Sequence, residues 1–193
     1  MNSQQIKEIL LSEIHEVSIN YEKYCNNPKH DFSRKRKLPF ELMLKNIIGM
    51  GSKSITNELI DIFQASGEMP SASAFVQQRT KIRPEALKAV FDGFMSRILA
   101  SADKMRILAV DGSDIQIETN PKDKTSHIST SIDKKSFNLL HLNALYDLEE
   151  HVYTDAIIQA AKSQNEHGAL NEMVDRSEIP KALVIADRGY ESY

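Results

Sequence analysis

The sequence predicts an α/β chain, with a helical front half and a mixed-sheet back half. Three observations predict it. In the first hundred residues the apolar positions recur every three or four, the period of a helix face. After Arg106 they gather into short runs or alternate, as strands do. The charge also divides: residues 1–105 hold 15 Lys and Arg against 12 Asp and Glu, whereas residues 106–193 hold 9 against 15.

The first helix carries Ile6, Ile9, Leu10, Ile14, Val17, Tyr21 and Tyr24 on one face and stops at Asn26, Asn27 and Pro28. A basic stretch follows, Lys29 and Arg34 to Lys37, with Asp31 as its one acid. Pro39 suits the first turn of a second helix, Phe40 to Met50, because its missing N–H costs nothing there. A third helix spans Ser54 to Gln64. After a turn over Ala65 to Pro70, Ser71 or Ser73 caps a fourth, reaching about Ile82. A fifth begins near Pro84, with Leu87, Val90, Phe91, Phe94, Met95, Ile98 and Leu99 facing a core.

In the back half, Ile107 to Val110 reads as a buried strand that ends in an Asp111-Gly112-Ser113 turn. Residues 138–158 read as a hairpin around the turn Asp147 to Glu150. Ser163 and Glu166 form a capping-box pattern before a helix carrying Ala169, Leu170, Met173 and Val174. Ala182 to Ala186 is then a second buried strand, ended by Asp187-Arg188-Gly189-Tyr190. A strand–helix–strand connection implies a parallel pairing somewhere in the sheet. The two apolar strands look covered on both faces.

Composition excludes several classes. With 41% apolar and 26% charged residues the chain is neither disordered nor low-complexity. No apolar run is long enough to span a bilayer. Met1 to Leu11 mixes Gln, Lys and Glu into its apolar residues, unlike a secretory signal. The single Cys25 cannot form an internal disulfide, which suits a cytoplasmic protein. The six histidines lack paired zinc-ligand spacing, and His141 reads as structural. Asp155 stands mid-strand among apolar neighbours and requires a partner.

Two strands thus end in an acid followed by a glycine turn. If they are parallel neighbours, Asp111 and Asp187 stand about one strand spacing apart, roughly 5 Å. A divalent cation between them removes their repulsion, and Mg²⁺ prefers such oxygen ligands. Each motif alone is equally ordinary turn chemistry. In the front half, the third and fourth helices make a loose helix-turn-helix. Its second helix offers Gln77, Gln78, Arg79 and Lys81, residue types that read base edges or hold phosphate. Arg34, Lys35, Arg36 and Lys37 suit backbone phosphates. A bundle with a merely solvated polar face remains the alternative.

Together the stretches Ile107 to Asp114, Leu145 to Leu148, Asn165-Glu166 and Ile185 to Tyr193 resemble the catalytic half of insertion-sequence DDE transposases, family four. Phe32 to Phe40 and Pro70 to Arg79 resemble the front half of the same family. The resemblance implies an α-helical DNA-binding region, 1–104, followed by a ribonuclease H-like catalytic domain, 105–193. It implies Asp111 and Asp187 as catalytic, metal-binding carboxylates, with Mg²⁺ or Mn²⁺ as cofactor. The implied reaction is cleavage and strand transfer at element ends, with transposon-end and target DNA, a second copy or a full-length transposase as partners. The location implied is the cytoplasm, at the nucleoid. The family's third carboxylate, a Glu, lies on a later helix. No residue of 1–193 has that setting, so the catalytic domain reads as incomplete and the chain as a fragment expected to be inactive alone. The alternative is a non-catalytic DNA-binding remnant or repressor of a full-length transposase.

Overall fold

The computed structural model describes residues 2–34, 37–99, 105–129 and 135–190. The chain forms two compact units, 1–101 and 102–193.

The first unit is helical: α1 (Ser3–Ile19), α2 (Phe40–Gly49), α3 (Ile55–Phe63), α4 (Ala72–Arg79) and α5 (Glu85–Leu99). Polar side chains start three of them. Asn2 and Gln5 form a reciprocal capping box on α1, Ser54 accepts from the Asn57 N–H, and Ser71 accepts from the Ala74 N–H at 3.1 Å. The first helix ends at Ile19, and Tyr21–Tyr24 tighten into a 3-10 turn. α2 is central because it carries two apolar stripes. Phe40 and Leu44 join Ile14, Val17, Ala86 and Val90 of α1 and α5. Met43 joins Leu38, Leu59 and Phe75 on the side of α3 and α4. Gly93 lets α1 and α5 approach, since a Cβ there would overlap the Glu13 carboxylate. Glu13 in turn pairs with Arg97. Cys25 is buried, and burial first, then Asp31 and Glu22, push its thiol up to about 11, so it stays protonated at neutral pH.

The second unit is a mixed sheet with one helix: β1 (Arg106–Ile117), β2 (His127–Ile128), β3 (Phe137–Asp147), β4 (Val152–Ala160), α6 (Glu166–Asp175) and β5 (Ala182–Ile185). β3 pairs antiparallel with β1 along one edge and with β2 and β4 along the other. β5 pairs parallel with β1, as the crossover connection requires. α6 covers one face, where Leu108, Val110, Leu145, Met173 and Tyr190 form the core. Among the described residues no helix is long and apolar enough to cross a membrane.

Three local expectations are corrected. β1 does not turn at Asp111-Gly112; it runs on to Ile117, because β3 supplies a partner for every residue from Leu108 to Ile117. The apolar strands are not covered on both faces. Burial alternates along β1, and Leu183 and Ile185 of β5 are each 49% exposed. Finally, Asn165 and not Ser163 caps α6, its side chain accepting from the Gly168 N–H at 2.9 Å.

Candidate active site

Four residues of β1 and four of β5 set the geometry. Their register runs from Arg106 beside Ala182 to Ala109 beside Ile185. Two residues further along each chain stand Asp111 and Asp187. β5 stops at Ile185, so beyond it the β1 edge at Asp111 is open to solvent. Both acids are exposed, and each is steadied the same way. Asp111 Oδ1 accepts from the Gly112 N–H at 2.9 Å, and Asp187 Oδ1 accepts from the Gly189 N–H at 2.8 Å. The second oxygen of each accepts no hydrogen bond from the described residues, and no described cationic side chain pairs with either acid. Two oxygen donors left free in this way fit a hard divalent cation.

The other side chains at this end of the sheet come from the face under α6. The pleat puts Gly112, Asp114, His141 and Asn143 on that face, because Gly112 lies beside Asn143 and Asp114 beside His141. His141 Nδ1 stands 2.9 Å from Asp114 Oδ1, and its Nε2 stands 3.3 Å from Glu166 Oε1. Glu166 opens α6 and reaches over both glycines. A Cβ on Gly112 would lie 3.0 Å from Glu166 Oε1 and 2.7 Å from His141 Nε2. A Cβ on Gly189 would lie 2.3 Å from Glu166 Oε2 and 3.1 Å from Asp187 Oδ1. The glycines that read as turn residues are therefore space for a carboxylate.

Tyr190 closes the cluster from below. It is buried, and its hydroxyl donates to Asn143 Oδ1 at 2.9 Å. Burial, and then the charges of Glu166, Asp111 and Asp187, push its pKa up to about 12. A single tyrosine thus feels all three carboxylates. Among the described residues, however, no group of three or more His, Cys, Asp or Glu side chains is placed to hold a metal ion.

Sequence reasoning singled out Asp111 and Asp187 but gave Glu166 only a capping role and His141 only a structural one. The spacing of Glu166 from Asn165 was visible; its reach across two glycines was not. Asp155, which needed a partner, finds it in Arg176, with two contacts of 2.7 Å that tie β4 to α6.

The basic residues of the first unit divide. Arg34, Gln78 and Lys81 line one cavity of about 180 Å³, together with His30, Phe32 and Leu38. Lys37 and Gln78 line a second beside Met69 and Pro70. The basic stretch and α4 therefore meet around Gln78. Gln77 and Arg79 are exposed, but Gln78 is buried and its Oε1 accepts from Lys81 Nζ at 3.1 Å. The Gln78 amide oxygen is thus engaged within the helical unit. Lys35 and Arg36 lie outside the described residues.

Residues 102–193 match the family model of the transposase DDE domain. No curated protein and no solved structure matches the chain.

Proposed function

We propose, from the match of residues 102–193 to the transposase DDE domain model, that the protein is a DNA transposase whose Asp111 and Asp187 hold a divalent cation against DNA phosphate. The observation that carries this reading is the pair of in-register strands, each bringing an acid to the same open end of the sheet. Mg²⁺ or Mn²⁺, when bound, lowers the pKa of an attacking hydroxyl and offsets the charge on the transferring phosphate. The protein's own part is positional. The Gly112 and Gly189 N–H groups fix one oxygen of each carboxylate and leave the other for the cation. The open β1 edge beyond Ile185 leaves room for a DNA strand to approach. The ribonuclease H-like topology is part of the same proposal, supported by an antiparallel β1–β3–β4 meander followed by a crossover helix and a parallel β5.

Cation-dependent DNA binding is the test. Affinity for duplex DNA is expected to rise when Mn²⁺ is added, and the rise is expected to vanish in Asp111→Asn and in Asp187→Asn. Wild-type protein that binds DNA equally with and without Mn²⁺ overturns the reading.

The helical unit supplies DNA contacts in this proposal: Gln77 and Arg79 toward base edges, and Arg34, Lys35, Arg36, Lys37 and Lys81 toward phosphates. Gln78 anchors Lys81. Replacing Arg34 and Lys35 by Ala is expected to weaken binding across DNA sequences alike. The slope of log affinity against log salt should fall by about 1 for each phosphate contact removed. Fluorescence anisotropy over a salt series measures it, and an unchanged slope rules these residues out as phosphate contacts.

A further inference from the structure

The cavity of about 180 Å³ in the helical unit is walled by donors without a matching acceptor. Gln78 is 9% exposed, and its Oε1 accepts from Lys81 Nζ at 3.1 Å. An ammonium only donates, so the amide oxygen must face Lys81 and the NH₂ group is left over. No described residue accepts from that NH₂, so whatever enters the cavity has to supply the acceptor. Lys81 is held a second time, with Nζ 6.0 Å from the centre of the Phe32 ring. Phe32 presents its ring from a backbone at φ 55°, a region that bulky side chains rarely adopt. Arg34 and His30 extend the wall, and no carboxylate lines it. No described acid pairs with Arg34 or Lys81. Asp31, the acid nearest in sequence, is buried and accepts from the Asn27 N–H.

We infer that this cavity is an oxyanion site that takes a single phosphate group, held by the Gln78 amide, Lys81 and Arg34, with His30 beside them. Charged donors converging on one space suit an oxygen-rich anion, whose bonds to them are the strong, charge-assisted kind. The volume equals that of about six water molecules. It falls below the roughly 300 Å³ at which pockets for organic ligands begin, so a phosphate group fits and a whole nucleotide does not. That the phosphate belongs to a DNA backbone rests on the reading given above; a free phosphate ion offers the same oxygens. In either case Gln78 holds phosphate, a contact that fixes position and carries no base sequence.

Titration of the full chain with inorganic phosphate at constant ionic strength tests the site without any DNA. The side-chain amide signals of Gln78 in proton–nitrogen NMR are expected to shift and saturate. By calorimetry, Lys81→Met and Arg34→Ala are each expected to weaken phosphate binding about tenfold. Lys88→Met, on α5 and paired with Asp92, is expected to bind as wild type does. Gln78→Glu keeps the shape and the acceptor for Lys81 but sets a negative charge against the phosphate, and is expected to abolish binding. If Gln78→Glu loses its circular dichroism spectrum, Arg34→Ala decides, since Arg34 is exposed. Gln78 signals that stay in place overturn the inference, as does wild-type affinity in the folded Gln78→Glu and Arg34→Ala variants. Competition with duplex DNA then identifies the source: phosphate that displaces DNA assigns the site to a backbone phosphate, and phosphate bound together with DNA assigns it to the free ion. A chain that binds phosphate in this way and no DNA overturns the DNA-binding reading alone.

Discussion

Asp147→Ala is expected to be the most damaging substitution in the sheet unit, lowering stability by about 3–5 kcal/mol. Asp147 is fully buried at the end of β3, and Arg106, 2% exposed at the start of β1, donates to its Oδ2 at 2.6 Å. Its Oδ1 accepts from the N–H groups of Glu149 and Glu150, at 2.9 and 3.0 Å, and so shapes the β3–β4 turn. Truncation therefore leaves a buried guanidinium without this partner and two turn N–H groups without an acceptor. Asp147→Asn keeps an acceptor for the turn and is expected to cost less than Ala. Denaturant unfolding followed by tyrosine fluorescence measures both, as the chain has no Trp. An Ala variant within about 1 kcal/mol of wild type would overturn this, since removing one partner of a buried pair is expected to be costly even where replacing both is not.

The same residue gives a pH dependence. Burial pushes the Asp147 carboxyl up, but the Glu150 N–H, the Arg106 guanidinium and the Glu149 N–H together outweigh it and hold it below the ordinary value of 3.8. A depressed carboxyl stabilises the fold above its unfolded pKa and loses that contribution as pH falls through the folded value. Wild-type stability should therefore fall as pH drops below about 3.8, and the Ala variant should lack that part of the fall.

Phe75→Ala is expected to cost about 3–5 kcal/mol in the helical unit. Its side chain is fully buried among Leu38, Met43 and Leu59. α4 has eight residues, too few to hold a helix in water without tertiary packing. Phe75 is thus what keeps α4 folded and Gln77 and Arg79 presented. Loss of helical signal at a lower denaturant midpoint, by far-UV circular dichroism, is the expected reading. A wild-type midpoint would mean that the cavity collapses around the truncation.

Much of the helical unit was legible because helix starts are local. Ser54, Ser71 and the apolar stripes of α1, α2 and α5 are short-range signals, and the helices begin where those signals stand. The end of α4 at Arg79 was less legible, because residues up to Ile82 remain compatible with a helix until the chain folds back. There Arg83 N–H donates to Tyr24 O, and Cys25 bridges Ile82. The burial of Gln78 had no local signal either, since it depends on the basic stretch packing beside α4.

For the candidate site the division is sharper. The strand content, the two acids each followed by a glycine turn, and a crossover that implies a parallel pairing somewhere in the sheet follow from residue order, because period and turn chemistry act over a few positions; that β1 and β5 are the parallel pair does not. The length of β1 does not: Asp111-Gly112-Ser113 has turn chemistry by itself, and only the backbone of β3 alongside keeps it extended. The exposure of β5 depends on which helix covers which face, and the setting of Glu166 depends on two glycines 77 residues apart in sequence meeting at one end of a sheet. Acid identity and order are fixed by the chain; which acids face one another is fixed by long-range pairing, since the free energy that selects it is spread over contacts no local stretch contains.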